Sequence, residues 1–156
     1  MNIRMIEPAD LSGIVKLMRN FAEFEDLGDY CDITEEKLKT VTFGSDAFVE
    51  GVGAEDGGSL IGYALFYPHF SSFRGQPGFY LEDIFVSDGS RGKGVGRLML
   101  AKIAAIANER GFERIDFMVL DWNTPAVDFY NNLGAERNDN ERHFKISDEA
   151  LIRLAG

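Results

Sequence analysis

The 156-residue chain reads as an α/β protein of the α+β kind, a mixed and mostly antiparallel central sheet flanked by helices. Three observations predict this. Three strand patterns follow one another in mid-chain, the first two joined through Glu55-Asp56-Gly57-Gly58, a strong hairpin signal. Amphipathic helical patterns lie on both sides of that block. After it, helix and strand alternate, which lets helices pack against a sheet.

The elements follow in order. Residues 2–6 form a short strand candidate. Pro8 and Asp10 then open a helix with Leu11, Ile14, Val15, Met18, Phe21 and Ala22 on one face, and Phe24-Glu25 just beyond it. Thr34 is placed to cap a short helix with Glu35 and Glu36 in its first turn. Residues 47–54 and 59–67 are the hairpin strands, residues 69–78 read as a loop, and residues 78–86 form the next strand. A helix carrying Val95, Met99, Leu100, Ile103, Ile106 and Ala107 on one side ends at Gly111. Residues 114–120 make a further strand. Asn123-Thr124-Pro125 caps and starts a helix that ends near Leu133-Gly134. Residues 142–146 are a last strand candidate and 147–154 a terminal helix. No repeat or interdomain linker interrupts the series, so residues 1–156 are expected to be one domain.

Composition narrows the function. The formal net charge of −10 opposes nucleic-acid phosphates and anionic lipid, so neither nucleic acid nor membrane is an expected partner. No apolar run approaches the roughly 20 residues of a bilayer span, and acidic Glu7 and Asp10 argue against a secretory leader. A lone Cys31 fits a reducing, cytoplasmic setting, and with only two histidines no metal site is expected.

Against this acidic background Arg91-Gly92-Lys93-Gly94-Val95-Gly96 stands out, with Arg97 next to it. It lies between a strand and a helix. Alternating glycines remove the Cβ atoms that would block approach to the backbone, and amides at a helix N-terminus attract anions. The spacing is neither that of a Walker loop nor that of the dinucleotide fingerprint. Phosphate binding is the reading that position and charge favour. In the preceding strand, Glu82 and Asp83 interrupt an apolar run, and alternation sets them on opposite faces. One is expected to be hydrogen-bonded to a neighbouring element, the other to serve as general base or cation anchor. Tyr130 lies on the apolar helix face of Ala126, Phe129 and Leu133, as core or as catalyst; Asn123 is a cap or a ligand contact. Cys31, in an acidic stretch, is not expected to act as a nucleophile.

Taken together, these segments resemble the GNAT (Gcn5-related N-acetyltransferase) superfamily, and within it the diamine or polyamine (spermidine/spermine) acetyltransferases. The loop is similar to the Arg/Gln-x-x-Gly-x-Gly/Ala acetyl-CoA motif. Tyr80-Leu81-Glu82-Asp83-Ile84-Phe85-Val86 resembles a Tyr-Leu-Glu-Asp-aromatic-Phe-Val strand, and 121–130 a Glu-Trp-Asn-x-Pro-x-x-x-Phe-Tyr run. Phe24-Glu25 and Phe144-Lys145-Ile146 fall in matching order. The resemblance implies transfer of an acetyl group from acetyl-CoA to a primary amine of a small cationic substrate (a polyamine, a diamine or a thialysine-like amine) by direct attack in a ternary complex. It implies that Arg91, Gly92, Lys93, Gly94, Val95, Gly96 and Arg97 hold the diphosphate. Ile84, Phe85 and Val86 would take the pantetheine arm, with Asn123 across the cleft. Glu82 would be the base, and Tyr130 would meet the coenzyme thiolate as proton donor. Phe24, Glu25, Glu82, Asp83 and Glu141 would face the amine, and the active form would be a homodimer. Glu141 stands where the polyamine enzymes carry tryptophan, and Phe73 near the place of another. A non-catalytic acyl-CoA-binding module, or acetylation of an amino acid or a protein lysine, are the alternatives.

Overall fold

The computed structural model describes residues 1–156. Five strands form one sheet in the order β1-β2-β3-β4-β5: β1 (Asn2–Met5), β2 (Glu50–Asp56), β3 (Ser59–Ser71), β4 (Gln76–Val86) and β5 (Ile115–Asp116). The first four pair antiparallel, and β5 joins β4 in parallel. Gly57 and Gly58, both with positive φ, make the tight turn between β2 and β3.

Helices cover both faces. Helix α1 (Leu11–Phe24) buries Leu11, Ile14, Val15 and Leu17, and α2 (Glu35–Phe43) buries Leu38, against Tyr63, Leu65 and Phe85. The Thr34 hydroxyl accepts the Lys37 N–H at 3.2 Å, as the cap pattern predicts. On the other face α3 (Val95–Glu109) lays Val95, Met99, Ile103, Ile106 and Ala107 over Val52, Ala64, Phe66, Phe79 and Leu81. Burial of these apolar faces is the main stabilising term on both sides.

The chain divides into two compact units, Met1–Met118 and Val119–Gly156. The second holds α4 (Thr124–Asn132) and α5 (Asp148–Ala155).

Three expectations need correction. Residues 69–78 are not one loop: β3 continues to Ser71 and β4 begins at Gln76. Cross-strand pairing extends this long hairpin despite its Ser, Gly and Pro content. Pro68 is accommodated because it lies past Phe66, the last β3 residue with a partner on β2, where a missing N–H costs no ladder bond. The strand expected over 114–120 contracts to Ile115–Asp116, because only Phe79 and Tyr80 of β4 pair with it. Residues 142–146 form no strand, since strand pattern without a partner ladder yields no sheet.

Gly78 permits the β4–β5 contact. A Cβ there would stand 2.7 Å from the Arg114 carbonyl oxygen, next to the Phe79 N–H bond to that same oxygen at 3.0 Å. Gly78→Ala is expected to destabilise the fold by about 2 kcal/mol, a typical overpacking cost. Chemical denaturation of both proteins checks this; an unchanged midpoint would show that β5 can give way.

Candidate active site

Strand β4 departs from regular alternation at one point. Leu65 faces Asp83 and Phe66 faces Leu81, so Glu82 is an extra residue on β4, a β-bulge. Leu81 and Ile84 consequently share the α3 face although three residues apart. Glu82 and Asp83 turn to the other face, where tyrosines of β3 meet them. The Tyr63 hydroxyl donates to Asp83 Oδ2 at 3.2 Å, and the Tyr67 hydroxyl to Glu82 Oε2 at 3.3 Å. The expectation that the two carboxylates lie on opposite faces is wrong, because the bulge shifts the period of two by one residue. Two adjacent carboxylates between apolar residues are its trace in the sequence.

The pair is unequal. Glu82 is exposed, while Asp83 is half-buried with its carboxylate against the Tyr63 hydroxyl. Burial first, then the Glu82 charge and that of Glu25, push the Asp83 carboxyl up to about 6 against the pull of the Tyr63 hydrogen bond. Burial also raises Glu25, which follows the last turn of α1. The charges of Glu82 and Glu25 both act on Asp83, so the three acids concentrate negative charge on this face of the sheet. Tyr63 is pushed far up by burial and by Asp83, with Cys31 and Glu25 adding to it, and therefore remains a proton donor.

The second part of the site is an open strand edge. β5 leaves β4 after Tyr80. From Leu81 to Val86 that edge has no strand beside it. The Ser87 N–H donates to the Ile61 carbonyl at 2.9 Å, which makes Gly62 and Val86 a non-hydrogen-bonded pair. The N–H and C=O of Val86 therefore point to the open edge.

The glycine loop completes this unit. Gly92 (φ 74°) and Gly94 (φ 78°) are left-handed, and an added Cβ at either would meet nothing within 4 Å. Gly94 is the N-cap of α3, and no side chain caps the helix there. These amides and the open edge fit a diphosphate followed by an extended arm. The loop cations do not all point outward. Lys93 Nζ donates to the Gly89 carbonyl at 3.1 Å. The Arg91 guanidinium donates to the Val86 carbonyl through Nε at 3.0 Å and pairs with Asp88 at 3.0 Å. Sequence reasoning missed this placement, and also missed Tyr63 and Tyr67, whose spacing of four along a strand is the only hint of a shared face.

In the second unit Asn123 accepts the Ala126 N–H at 3.4 Å and caps α4, the first of its two predicted readings. Tyr130 lies near the end of α4 beside Phe129, and burial pushes its hydroxyl up to about 12. Glu141 lies in the exposed segment before α5.

Known proteins place this architecture. Residues 16–135 match the acetyltransferase (GNAT) family. A thialysine N-epsilon-acetyltransferase from Sus scrofa is 35% identical, over 99% of this chain and 96% of that protein. A human spermidine/spermine N(1)-acetyltransferase-like protein is 28% identical over 98% of this chain and 23% of its own length. In three dimensions, an integron cassette protein from the mobile metagenome of V. cholerae superimposes with a TM-score of 0.83 at 23% identity, covering 99% of this chain and 96% of that one. The chain belongs to the GNAT acetyltransferase family, whose members use acetyl-CoA as acetyl donor. It is an N-acetyltransferase.

The raised Asp83 pKa has a stability consequence. Its folded value of about 6 exceeds the ordinary 3.8, so the folded state resists ionisation that the unfolded chain accepts. Stability therefore declines as pH rises from about 4 to about 6 and stays lower above. Asp83→Asn should abolish that decline and stabilise the protein by up to roughly 3 kcal/mol at pH 8. Melting temperatures at pH 4.5 and 8 test it; a less stable variant at pH 8 would mean that the carboxylate is repaid by a cation.

Proposed function

We propose that this enzyme acetylates a primary amine of a small, cationic substrate by direct attack on acetyl-CoA within a ternary complex. The observation that carries the reading is the cluster of Glu25, Glu82 and Asp83, three carboxylates whose charges act on one another at Asp83, on a strand whose far edge is open and which leads into the glycine loop. The thialysine and spermidine/spermine names of its relatives support the same substrate class. One domain, residues 1–156, would do this work, in the cytoplasm and as a homodimer.

In this reading the amides of residues 92–97 and the charges of Arg91, Lys93 and Arg97 bind the diphosphate. Ile84, Phe85 and Val86 offer the open edge to the pantetheine arm, and Asn123 contributes from the start of α4. The Val86 N–H, which faces that edge, would hold the carbonyl oxygen as it gains charge, a contribution of about 3 kcal/mol. Phe24 and Glu25 receive the far part of the amine, with Asp83 adding charge and Glu141 a further acid.

An alkylammonium with a pKa near ~10 must lose a proton before it can attack. Glu82, exposed on the bulge, accepts it directly or through water and passes it to solvent. Tyr130 keeps its proton at neutral pH because burial holds its pKa at about 12, and it donates to the departing thiolate. Asp83, at about 6, is the second candidate for the base.

A thiol-release assay with acetyl-CoA against polyamines, lysine analogues, amino acids and peptides tests the function. Turnover confined to small cationic amines is expected, and coenzyme binding with no turnover of any amine would leave a non-catalytic binding module. Tyr130→Phe should slow turnover at least tenfold with little change in acetyl-CoA affinity, and equal rates would remove this hydroxyl from the mechanism. Glu82→Gln should move the acid limb of the pH–rate profile upward, toward the pKa of the amine. If the limb stays in place and Asp83→Asn moves it instead, the base is Asp83.

A further inference from the structure

The guanidinium of Arg91, held by the Val86 carbonyl and by Asp88, has a further set of partners. It lies over two aromatic rings, 4.6 Å from the centroid of Phe24 and 5.3 Å from that of Phe85. Phe85 is itself stacked with Phe21, ring centroids 5.2 Å apart. At the same time Arg91 Nε fills the Val86 carbonyl, an acceptor that faces the open edge of β4. One side chain thus covers two groups: an acceptor for an extended ligand alongside β4, and an aromatic pair that attracts a cation.

The pair has the chemistry of an ammonium seat. Two ring faces attract a desolvated cation without forming a tight ion pair. Glu25 adjoins Phe24, and Asp83 is close enough to Glu25 to be affected by its charge. The positive charge now on the rings belongs to the protein itself. An amine reaching them meets a like charge and an occupied surface.

We propose that Phe24 and Phe85 form the seat for the cationic part of the amine substrate, and that acetyl-CoA opens this seat by drawing Arg91 away. The proposal rests on the function assigned above. The diphosphate offers the guanidinium paired oxygens in place of the one Asp88 oxygen and one backbone carbonyl that hold it now, and guanidinium binds phosphate in two parallel hydrogen bonds. An amide of the pantetheine arm takes over the Val86 carbonyl. Arg91 need only swing about its own stem, which carries four rotatable side-chain bonds. Binding of the two substrates then becomes coupled, coenzyme first, and by linkage the amine must tighten the coenzyme by the same factor.

Two measurements test this. In protein labelled with nitrogen-15 at arginine, the Nε–H resonance of Arg91, assigned by its loss in Arg91→Lys, should shift on saturation with coenzyme A. A resonance that stays in place while calorimetry shows coenzyme binding overturns the proposal and leaves the proposed function standing. No heat with coenzyme A overturns both. In the second, the affinity of spermidine is measured with and without coenzyme A. At least tenfold tightening is expected in the wild type. Less than twofold is expected in Arg91→Ala, with tighter binding of spermidine to that variant alone. Arg91→Lys keeps the charge but loses the Nε donor and the planar face. It should resemble the alanine variant; coupling retained in either variant, or absent from the wild type, overturns the proposal.

Discussion

Between Tyr80 and Val86, β4 has a strand partner on one side only, and the site depends on that constraint. The parting of β4 from β5 follows from a contact of only two residues, Phe79 and Tyr80 with Ile115 and Asp116. Beyond it the backbone groups of β4 must find other partners, because buried unpaired amides and carbonyls are costly. A ligand that runs like a strand meets this need. So, at Val86, does the side chain of Arg91.

The bulge at Glu82 is the second consequence of irregular pairing. A regular β4 would send one of the two carboxylates into the apolar layer beneath α3, among Val52, Phe66 and Leu81. The extra residue turns both toward the tyrosines of β3 and toward Glu25. Burying acids and placing them together is unfavourable: Asp83 is raised by burial first and then by the charges of Glu82 and Glu25, and Glu25 by its burial. A substrate that brings positive charge relieves the same repulsion. In the proposed function, stability given up in the free protein returns as affinity for the amine.

Arg91 links the two halves of this arrangement. In the proposed function it belongs, as a member of the glycine loop, to the anion site; as a cation over Phe24 and Phe85 it stands where the amine is expected. A loop residue can serve both places because its long side chain spans them without movement of α1, β4 or α3. The rigid elements hold the rings and the open edge, and one flexible side chain moves between two sets of partners.

Local sequence determined the elements and the chemistry they carry. The period of α3, the cap at Thr34, the Gly57-Gly58 turn and the glycine loop each depend on neighbours within a few residues, so each is legible without the fold. Family membership was legible for the same reason, in four short motifs kept in order. What tertiary structure alone decided was pairing. The length of β3, the contraction of β5 and the absence of a strand at 142–146 all turn on whether a partner edge is present, which no local pattern records. The bulge, the shared face of Glu82 and Asp83, and the seat of Arg91 are contacts between residues far apart in the chain or shifts of register by one. A one-residue shift reverses every face after it, and only the assembled sheet determines where that shift falls.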